Sequence, residues 1–276
     1  DSAELPCAVL ILFLFSEKGN SSLNFLRKMR GCCSLSAICG MLKKEIRRNF
    51  FEDIKIGTSL IRPFCGLCLD APKDQSYHGM KGFTMLKSIA VMTSGGDSPG
   101  MNAAARAVAR TALYEGVTVW GIHDGYHGLL EGDMFKMESK DVGDIIQRGG
   151  TFLGTARSHR WRTPEGRQEG YKNLLERNIE GLCVIGGDGS LRGAALLSQE
   201  TGIPIVGLPG TIDNDVWGSD YTIGCDTAAN TIIDAINKLR DTASAHRRVI
   251  VLEVMGRNSG WLALVSGISG GAEYIL

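Results

Sequence analysis

The segment "GLCVIGGDGSLRGAALLSQETG", residues 181–202, decides the fold class of this 276-residue chain. Its apolar run from Leu182 to Ile185 predicts a buried β-strand. Glycines interrupt this run, and a helical pattern begins at Ser190. A strand, a glycine-rich turn and a helix in this order make up half of a βαβ unit, from which parallel sheets are built.

The same order recurs throughout residues 85–276. The predicted strands are "KSIAVMTS", "VTVWGIHDG", "GLCVIGG", "PIVGLPG" and "RRVIVLEVMG", and the predicted helices are "AAARAVARTALYEG", "YKNLLERNI", "SLRGAALLSQETG" and "TAANTIIDAINKLRDTASA". Of the 36 glycines, 29 follow residue 84, as tight turns between strands and helices require. We therefore expect an α/β fold, with a Rossmann-like parallel sheet that carries helices on both faces.

The bulk composition favours a soluble globular protein. The formal net charge is zero and 43% of the residues are hydrophobic, so we expect neither a nucleic-acid partner nor a membrane partner. Only Cys183 and Cys225 lie beyond residue 84, and Cys183 sits inside a predicted strand as a small apolar residue. This cysteine usage is typical of a reducing compartment, and we expect a cytoplasmic protein.

The composition of residues 1–84 differs from that of the rest of the chain. This segment has 12 Lys and Arg against 8 Asp and Glu, and it contains six of the eight cysteines. The apolar run Cys7–Phe15 is too short to span a bilayer and follows an acidic flank, which favours a buried strand or an unfolded artefact over a targeting signal. "LKKEIRRNFFEDI" could form an amphipathic helix, and "CGLC" is read as chance spacing. We assign 1–84 no function and expect Met85 to be the native start.

Polar residues in glycine-rich contexts follow several predicted strands. In "TSGGDSPGMN", Gly95 and Gly96 allow close approach of the backbone to a ligand, although a tight turn capped by Asp or Ser would look the same. In "GGDGS", a helix start offers N–H groups to phosphate, which Asp188 alone would repel. The conflict disappears if Asp188 binds Mg²⁺ that bridges phosphate oxygens.

Two further loops carry charged residues. "PGTIDND" places Asp213 and Asp215 two apart after a strand, where one can act as a base toward a hydroxyl while the other orients it or assists at the metal. An acidic turn with a helix cap is the alternative. "VMGRNSG" presents Arg257, and Arg157 follows another glycine-rich turn. Guanidinium groups suit phosphate or developing charge, although an isolated arginine is usually a surface residue.

Together these loops contain the groups that phosphoryl transfer from a nucleotide needs: glycine-rich phosphate loops, a metal carboxylate, a carboxylate facing a hydroxyl, and cations. The Walker pattern GxxxxGK[ST], the protein-kinase motifs and the dinucleotide pattern GxGxxG are absent from the sequence. We therefore expect a kinase that uses another phosphate-binding architecture.

Seven motifs in order resemble the ATP-dependent 6-phosphofructokinases of the bacterial type. They are "TSGGDSPGMNAA", "GGTFLGTAR", "VIGGDGS", "GLPGTIDND", "YTIG", "LRDTASAHRR" and "EVMGRNSGWLAL". The resemblance runs from about Met85 to Leu276. It implies transfer of the γ-phosphate of ATP, with Mg²⁺, to the 1-hydroxyl of fructose 6-phosphate, which gives fructose 1,6-bisphosphate and ADP in glycolysis.

The resemblance also implies roles for individual residues. Those implied in catalysis are Gly96, Arg157, Thr211, Asp213, Asp215 and Arg257, with Asp213 as the general base. Those implied in nucleotide binding are Gly96, Arg157, Ser158, Gly187, Asp188, Gly189 and Ser190, with Asp188 as the metal ligand. Ser158 replaces an aromatic residue that is frequent in the family at the adenine side.

The sugar-phosphate and regulatory sites follow from the same resemblance. The implied substrate residues are Thr211, Asp213, Arg248, Met255, Gly256 and Arg257. Arg248 matches an arginine that the family donates across a subunit interface, which implies an oligomer, the homotetramer of the family. Arg106, Arg110 and Arg240 match an allosteric site where ADP activates and phosphoenolpyruvate inhibits.

Two alternatives remain beside the ATP-dependent kinase: a pyrophosphate-dependent phosphofructokinase and a non-catalytic nucleotide-binding fragment. Gly189 and Gly210 favour ATP, because pyrophosphate-using relatives tend to carry bulkier residues there. The family's remaining sugar-phosphate residues lie beyond Leu276, so we expect an incomplete, inactive piece. We expect an ATP-binding domain at 85–224 and the start of a substrate and effector domain at 225–276.

Overall fold

The computed structural model describes residues 9–13 and 86–276. The strand predicted within the apolar N-terminal run is confirmed for Val9–Phe13. The predicted helix "LKKEIRRNFFEDI" and the "CGLC" spacing lie outside the described residues. The described part of the chain belongs to one compact unit, and a domain division at residue 225 stays a prediction.

The elements alternate along the chain as expected. The strands are β1 (Val9–Phe13), β2 (Ser88–Ser94), β3 (Thr118–Ile122), β4 (Met134–Lys136), β5 (Gly181–Gly186), β6 (Ile205–Thr211), β7 (Ile223–Gly224), β8 (Ile250–Val254) and β9 (Tyr274–Ile275). The helices are α1 (Met101–Tyr114), α2 (Tyr126–Glu131), α3 (Pro164–Glu176), α4 (Asp188–Thr201), α5 (Cys225–His246) and α6 (Trp261–Gly270), with a 3₁₀ turn at Arg160–Arg162. The short helix α2 and the helix α6 were not predicted.

The main sheet has six strands in the order β4-β3-β2-β5-β6-β7. Strands β3, β2, β5, β6 and β7 run parallel, as expected. The predicted parallel sheet is confirmed, and it carries one unpredicted edge strand, β4, which pairs antiparallel with β3. The chain between these two strands contains only the short helix α2, and so short a connection suits an antiparallel return better than a parallel crossover.

Helices cover both faces of this sheet. Successive side chains of a strand point to opposite faces, so Ala90 and Met92 of β2 pack in one cluster while Val91 packs in another. The first cluster includes Leu129 of α2, Leu174 of α3 and Leu197 of α4. The second includes Ala109 of α1. Burial on both faces explains why β2 and β5 read as continuous apolar runs.

A second sheet has the strand order β8-β1-β9. Strand β1 pairs antiparallel with β8, from Val9 opposite Val254 to Phe13 opposite Ile250, and also with β9. A small cluster of Ile236 from α5, Val254 from β8 and Ala263 from α6 packs beside it. None of the helices in the described part of the chain is both long and apolar enough to cross a membrane.

Candidate active site

The predicted glycine loops leave the main sheet side by side. In the ladders Ser94 of β2 lies opposite Gly186 of β5, and Gly186 lies opposite Pro209 of β6. All three strands are parallel and end at the same edge, which is where ligands bind in open α/β sheets. The sheet register therefore brings "SGGD", "GGDGS" and "GTIDND" together.

The first glycine loop is tied to the loop that carries Arg157. The Thr93 hydroxyl donates to the Gly154 carbonyl at 2.8 Å, and the Thr155 hydroxyl donates to the Gly95 carbonyl at 2.6 Å. Gly95 has φ of 92°, a left-handed conformation that other residues rarely adopt. A Cβ added at Gly96 would meet no atom within 4 Å, so this backbone is open to a ligand.

Arg157 is exposed beside this loop, and Ser158 is partly buried. The Ser158 hydroxyl accepts a hydrogen bond from the Trp161 backbone N–H at 3.3 Å, within the 3₁₀ turn that follows. The two predicted nucleotide residues therefore differ in their surroundings: Arg157 is exposed, and the Ser158 hydroxyl is hydrogen-bonded to the backbone of the next turn.

The "GGDGS" loop is the start of helix α4. The first helical hydrogen bond runs from the Leu191 N–H to the Gly187 carbonyl at 3.0 Å. By helix geometry the N–H groups of Asp188, Gly189 and Ser190 have no partner within the helix, and the helix start has no side-chain cap. A helix start with free N–H groups can bind an anion, which is the role that the sequence predicts for this loop.

The residues around Asp188 fit a magnesium ion shared with phosphate oxygens. The Asp188 carboxylate is 39% exposed and pairs with Arg192 at 3.0 Å, one turn along the helix. A Cβ at Gly189 would meet nothing within 4 Å, so there is space beside the carboxylate. Among the described residues no cluster of three His, Cys, Asp or Glu could hold a metal. One carboxylate supplemented by phosphates and waters is a usual Mg²⁺ environment.

Gly210 differs from Gly189. A Cβ added at Gly210 would lie 3.0 Å from Met101 Cε and 3.2 Å from Ile185 Cγ2, so this glycine faces the core. A bulkier residue at 210 would press on the packing below the site rather than enter the open space beside Asp188 directly. Of the two glycines used to favour ATP, Gly189 is therefore the one with open space around it.

The acidic loop brings Asp213, Asp215 and Arg257 within electrostatic reach of one another. Burial raises the pKa of Asp213 and the neighbouring Asp215 raises it further, while Arg257 opposes the shift. The Thr211 hydroxyl accepts the Asp213 N–H at 3.2 Å. A carboxylate with a raised pKa is a stronger base than an ordinary aspartate, as a proton acceptor for a hydroxyl should be.

The "YTIG" segment holds this acidic loop in place. The Thr222 hydroxyl donates to the Thr211 carbonyl at 2.6 Å, and the Thr222 N–H donates to the Asn214 side chain at 2.9 Å. The Ser98 hydroxyl donates to the Ile223 carbonyl at 2.9 Å and so connects the segment to the first glycine loop. The sequence analysis assigned no role to Thr222, Asn214 or Ser98, since small polar residues in turns carry no specific signal.

Arg257 occupies an uncommon backbone conformation at the end of β8. Its φ is 51°, in the left-handed region where non-glycine residues are infrequent and often functional. The preceding Gly256 is buried, and a Cβ there would overlap the Ser259 carbonyl oxygen. This tight turn brings the Arg257 side chain near Asp213 and leaves Met255 exposed.

Arg248 and Arg257 lie at opposite ends of β8 and so do not form one site within this chain. Arg248 precedes β8, whereas Met255, Gly256 and Arg257 follow it. A strand rises roughly 3.3 Å per residue, so the two ends of the predicted sugar-phosphate set lie ~20 Å apart. Arg248 is exposed at its end of the strand.

The predicted effector arginines bind backbone carbonyls in this structure. Arg106 and Arg110 lie one turn apart on α1 and donate to the carbonyls of Val142 and Ser139. Arg240 of α5 donates to the Gly270 carbonyl at 2.7 Å. Arg106 and Arg110 therefore share one face of α1, while Arg240 anchors α5 to the end of α6.

Sequence analysis missed a buried hydrogen-bond network beneath the site. The Tyr126 hydroxyl donates to the Ser190 carbonyl at 2.5 Å, and the Ser190 hydroxyl donates to that of Ser94 at 3.0 Å. From the sequence alone, a tyrosine in a short helix is interpreted as an ordinary core residue. The contact is therefore visible only in the folded structure. Arg167 and Glu200, a largely buried ion pair between α3 and α4, were missed for the same reason.

Comparison with known proteins agrees with this geometry. A family model described as phosphofructokinase matches residues 88–276. The ATP-dependent 6-phosphofructokinase of Halothermothrix orenii is 60% identical over 191 residues, which are 69% of this chain and 58% of that protein. That of Halalkalibacterium halodurans is 61% identical over 191 residues, 69% of this chain and 60% of that protein.

A solved structure of the same family is also similar to this chain. Phosphofructokinase from Saccharomyces cerevisiae superposes with a TM-score of 0.63 and 44% identity, over 68% of this chain and 28% of that one. The chain spans about 60% of the length of the curated relatives it matches. The strand-end loops, the family model and these relatives agree that the chain belongs to the phosphofructokinase family.

Proposed function

We propose that this chain is the nucleotide-binding part of an ATP-dependent 6-phosphofructokinase, which transfers the γ-phosphate of ATP to the 1-hydroxyl of fructose 6-phosphate. One observation carries the proposal: Asp213, whose pKa is raised, lies near Asp215 and Arg257 beside two glycine loops of the same sheet edge. The names of the relatives supply the substrates, since they are called ATP-dependent 6-phosphofructokinases.

In this proposal Asp213 accepts the proton of the attacking hydroxyl. Its partly buried position and the nearby Asp215 make it a better proton acceptor than an exposed aspartate. Arg257 opposes the rise in the pKa of Asp213 and, in the proposal, faces the charge that develops on the phosphoryl group. Thr211 holds the Asp213 N–H and fixes the direction of the carboxylate.

The phosphates lie against the start of α4 and the first glycine loop. The N–H groups of Asp188, Gly189 and Ser190 face the triphosphate, with Gly96 and Arg157 on the γ-phosphate. Asp188 would hold Mg²⁺, which neutralises phosphate charge when bound. Because the Asp188–Arg192 pair is exposed and lies on one helix, it is weak, and a phosphate-bound cation can replace it.

ATP rather than pyrophosphate is the proposed donor. The open space at Gly189 leaves room for the nucleotide beyond the transferred phosphate. A non-catalytic nucleotide-binding fragment is the alternative, and it would bind ATP or ADP without turnover.

The remaining assignments belong to the same proposal. Arg248 lies too far from Arg257 to share a sugar phosphate within one chain, which supports its donation to a neighbouring subunit of a homotetramer. ADP and phosphoenolpyruvate are proposed effectors at Arg106, Arg110 and Arg240. Cytoplasmic localisation and the domain boundary at residue 225 are proposed with the enzyme.

A coupled assay for ADP formation on the full-length gene product tests this function. The wild type should turn over only when fructose 6-phosphate is present, and Asp213→Ser should lower kcat on the order of 10²- to 10⁴-fold, the usual contribution of a positioned base. The matched control is Asp220→Ser, at an exposed aspartate of the same loop, which should keep wild-type activity. Wild-type turnover in Asp213→Ser would refute the base assignment.

A further inference from the structure

We infer that the gap between β8 and β9 is a strand-acceptor site for an extended apolar segment, and that this chain fills it with its own strand β1. Strand β1 runs antiparallel to both neighbours, so β8 and β9 run in the same direction on either side of it. No function was assigned to this segment from the sequence. The site binds a stretch of polypeptide, and it does not depend on the proposed kinase activity.

The gap is one strand wide. Neighbouring strands lie roughly 4.8 Å apart, so β8 and β9 lie about 10 Å apart on the two sides of β1. A backbone hydrogen bond needs an N···O distance of about 2.9 Å, so β8 and β9 do not bond to each other across this gap. Each of them therefore presents backbone N–H and C=O groups to the gap, and an inserted strand pairs with both sets.

Packing against α5 and α6 holds the two sides of the gap apart. Val254 of β8 belongs to the small cluster that also contains residues of α5 and α6, and Ile275 of β9 packs against the same cluster. The Arg240 guanidinium of α5 donates to the Gly270 carbonyl at 2.7 Å, at the end of the helix that precedes β9. Both strands are therefore fixed to the same pair of helices, and closing the gap would break these contacts.

The register selects an apolar residue at the middle of the inserted strand. Ile11 lies opposite Leu252 of β8 and opposite Ile275 of β9. Leu252 and Ile275 both pack against the small cluster, and directly opposite residues of an antiparallel pair share one face of the sheet. The site therefore favours an apolar residue at this place in the strand, which is what the sequence has.

Strand β1 also holds β8 in its sheet. In the described part of the chain β8 lies at the edge of the second sheet, so its ladder is the one with β1. The last pair of that ladder, Val9 with Val254, immediately precedes Met255 and the left-handed turn at Arg257. Loss of β1 therefore frees the end of β8 from which this turn starts.

Amide hydrogen exchange of the whole 276-residue chain tests the site. Ile11→Pro removes the N–H of the middle residue and places a proline ring in a strand that is paired on both sides. The amides of β8, β9 and residues 255–257 should exchange about tenfold faster or more, while those of β2 and β5 keep their protection. The matched control is Ile11→Val, which keeps the N–H and a branched apolar side chain and should exchange like the wild type. Equal protection of β8 and β9 in the wild type and Ile11→Pro would overturn the inference.

A peptide added in trans tests the acceptance of a strand directly. A synthetic peptide of residues 7–15, made soluble by terminal lysines, should restore the protection of β8 and β9 in Ile11→Pro. The same peptide carrying Ile11→Pro should not restore it. Failure of the first peptide, or equal effects of the two, would show that the gap accepts no strand. Protection that falls on dilution of the wild-type chain would place the strand of a second copy in the gap and overturn the intrachain assignment.

Cross-strand NOEs in the wild-type chain decide the question without a substitution, should Ile11→Pro fail to fold. The register predicts NOEs between the backbone protons of Ile11 and Leu252 and between those of Leu12 and Val251. Their presence supports β1 as the occupant of the gap. Their absence from a folded wild-type chain would overturn the inference.

Discussion

Strands β2 and β8 are both apolar and both end in predicted site residues, yet their surroundings differ. Strand β2 pairs on both sides with parallel strands and is buried along most of its length. Strand β8 pairs with β1, and its Val251 remains 45% exposed. The loop after β2 is held by several hydrogen bonds, whereas Met255 after β8 is 73% exposed. The loop after β2, predicted to bind phosphate, is therefore held by hydrogen bonds, whereas the segment after β8, predicted to bind the sugar phosphate, begins with an exposed side chain.

Core truncations should show the largest difference between the two strands. Met92→Ala on β2 removes a fully buried side chain and should lower the free energy of unfolding by about 2–5 kcal/mol. Val251→Ala on β8 should cost under about 1 kcal/mol, because that side chain is half exposed. Denaturant unfolding of both variants measures this, and equal losses would show that β8 is as well packed as β2.

The second prediction concerns Arg257, the cation that follows β8 and lies near Asp213 of the loop after β6. Arg257→Ala should lower kcat on the order of 10²-fold, since the proposed function places this cation at the transferring phosphoryl group. Arg192→Ala, at an exposed arginine beside Asp188, should have little effect on kcat. Steady-state assays of the full-length gene product compare the kcat of the two variants. Similar losses would mean that Arg257 contributes no more to catalysis than an exposed surface arginine.

Removal of a supporting hydrogen bond gives a smaller effect. Thr222→Val deletes the donor to the Thr211 carbonyl and should lower the free energy of unfolding by about 1 kcal/mol. It should also lower kcat, because the loop of Asp213 loosens. Thr231→Val removes a similar hydroxyl bond on the exposed side of α5 and serves as the control. An unchanged kcat in Thr222→Val would show that the acidic loop is fixed by other contacts.

The smallest predicted effect is the pH dependence of stability through Asp213. The folded-state pKa of Asp213 is raised above its unfolded value, so ionisation destabilises the fold as the pH rises through that range. Asp213→Asn should therefore be slightly more stable than the wild type at neutral pH. The difference should vanish below the unfolded pKa of about 3.9. Melting temperatures across pH measure it, and a less stable Asp213→Asn at neutral pH would contradict the assigned shift.

Sequence patterns predicted the elements that carry their own periodicity or glycine signals. Strands β2 and β5 and helices α1 and α4 lie where expected, since burial on both faces and tight turns leave a local signature. The antiparallel edge strand β4 was missed because a strand of Met134–Lys136 is too short to show a period. The order of the loops also followed from the alternation of strands and helices.

Contacts between distant segments could not be predicted. The bond from Tyr126 to Ser190 joins residues 64 apart in sequence, and the bond from Ser98 to Ile223 joins residues 125 apart. Both involve common polar residues whose partners depend on the packing of separate elements. The raised pKa of Asp213 likewise comes first from burial, which only the fold determines, and it is opposed by Arg257 from a distant part of the chain.

A side-by-side comparison of phosphoryl donors tests the central claim most directly. Initial rates of fructose 6-phosphate phosphorylation are measured in the full-length gene product with Mg-ATP and with magnesium pyrophosphate at equal concentrations, for the wild type and Asp213→Ser. We predict turnover with ATP well above that with pyrophosphate, and loss of the ATP rate in Asp213→Ser. Equal or faster turnover with pyrophosphate, or no turnover with either donor, would contradict the account.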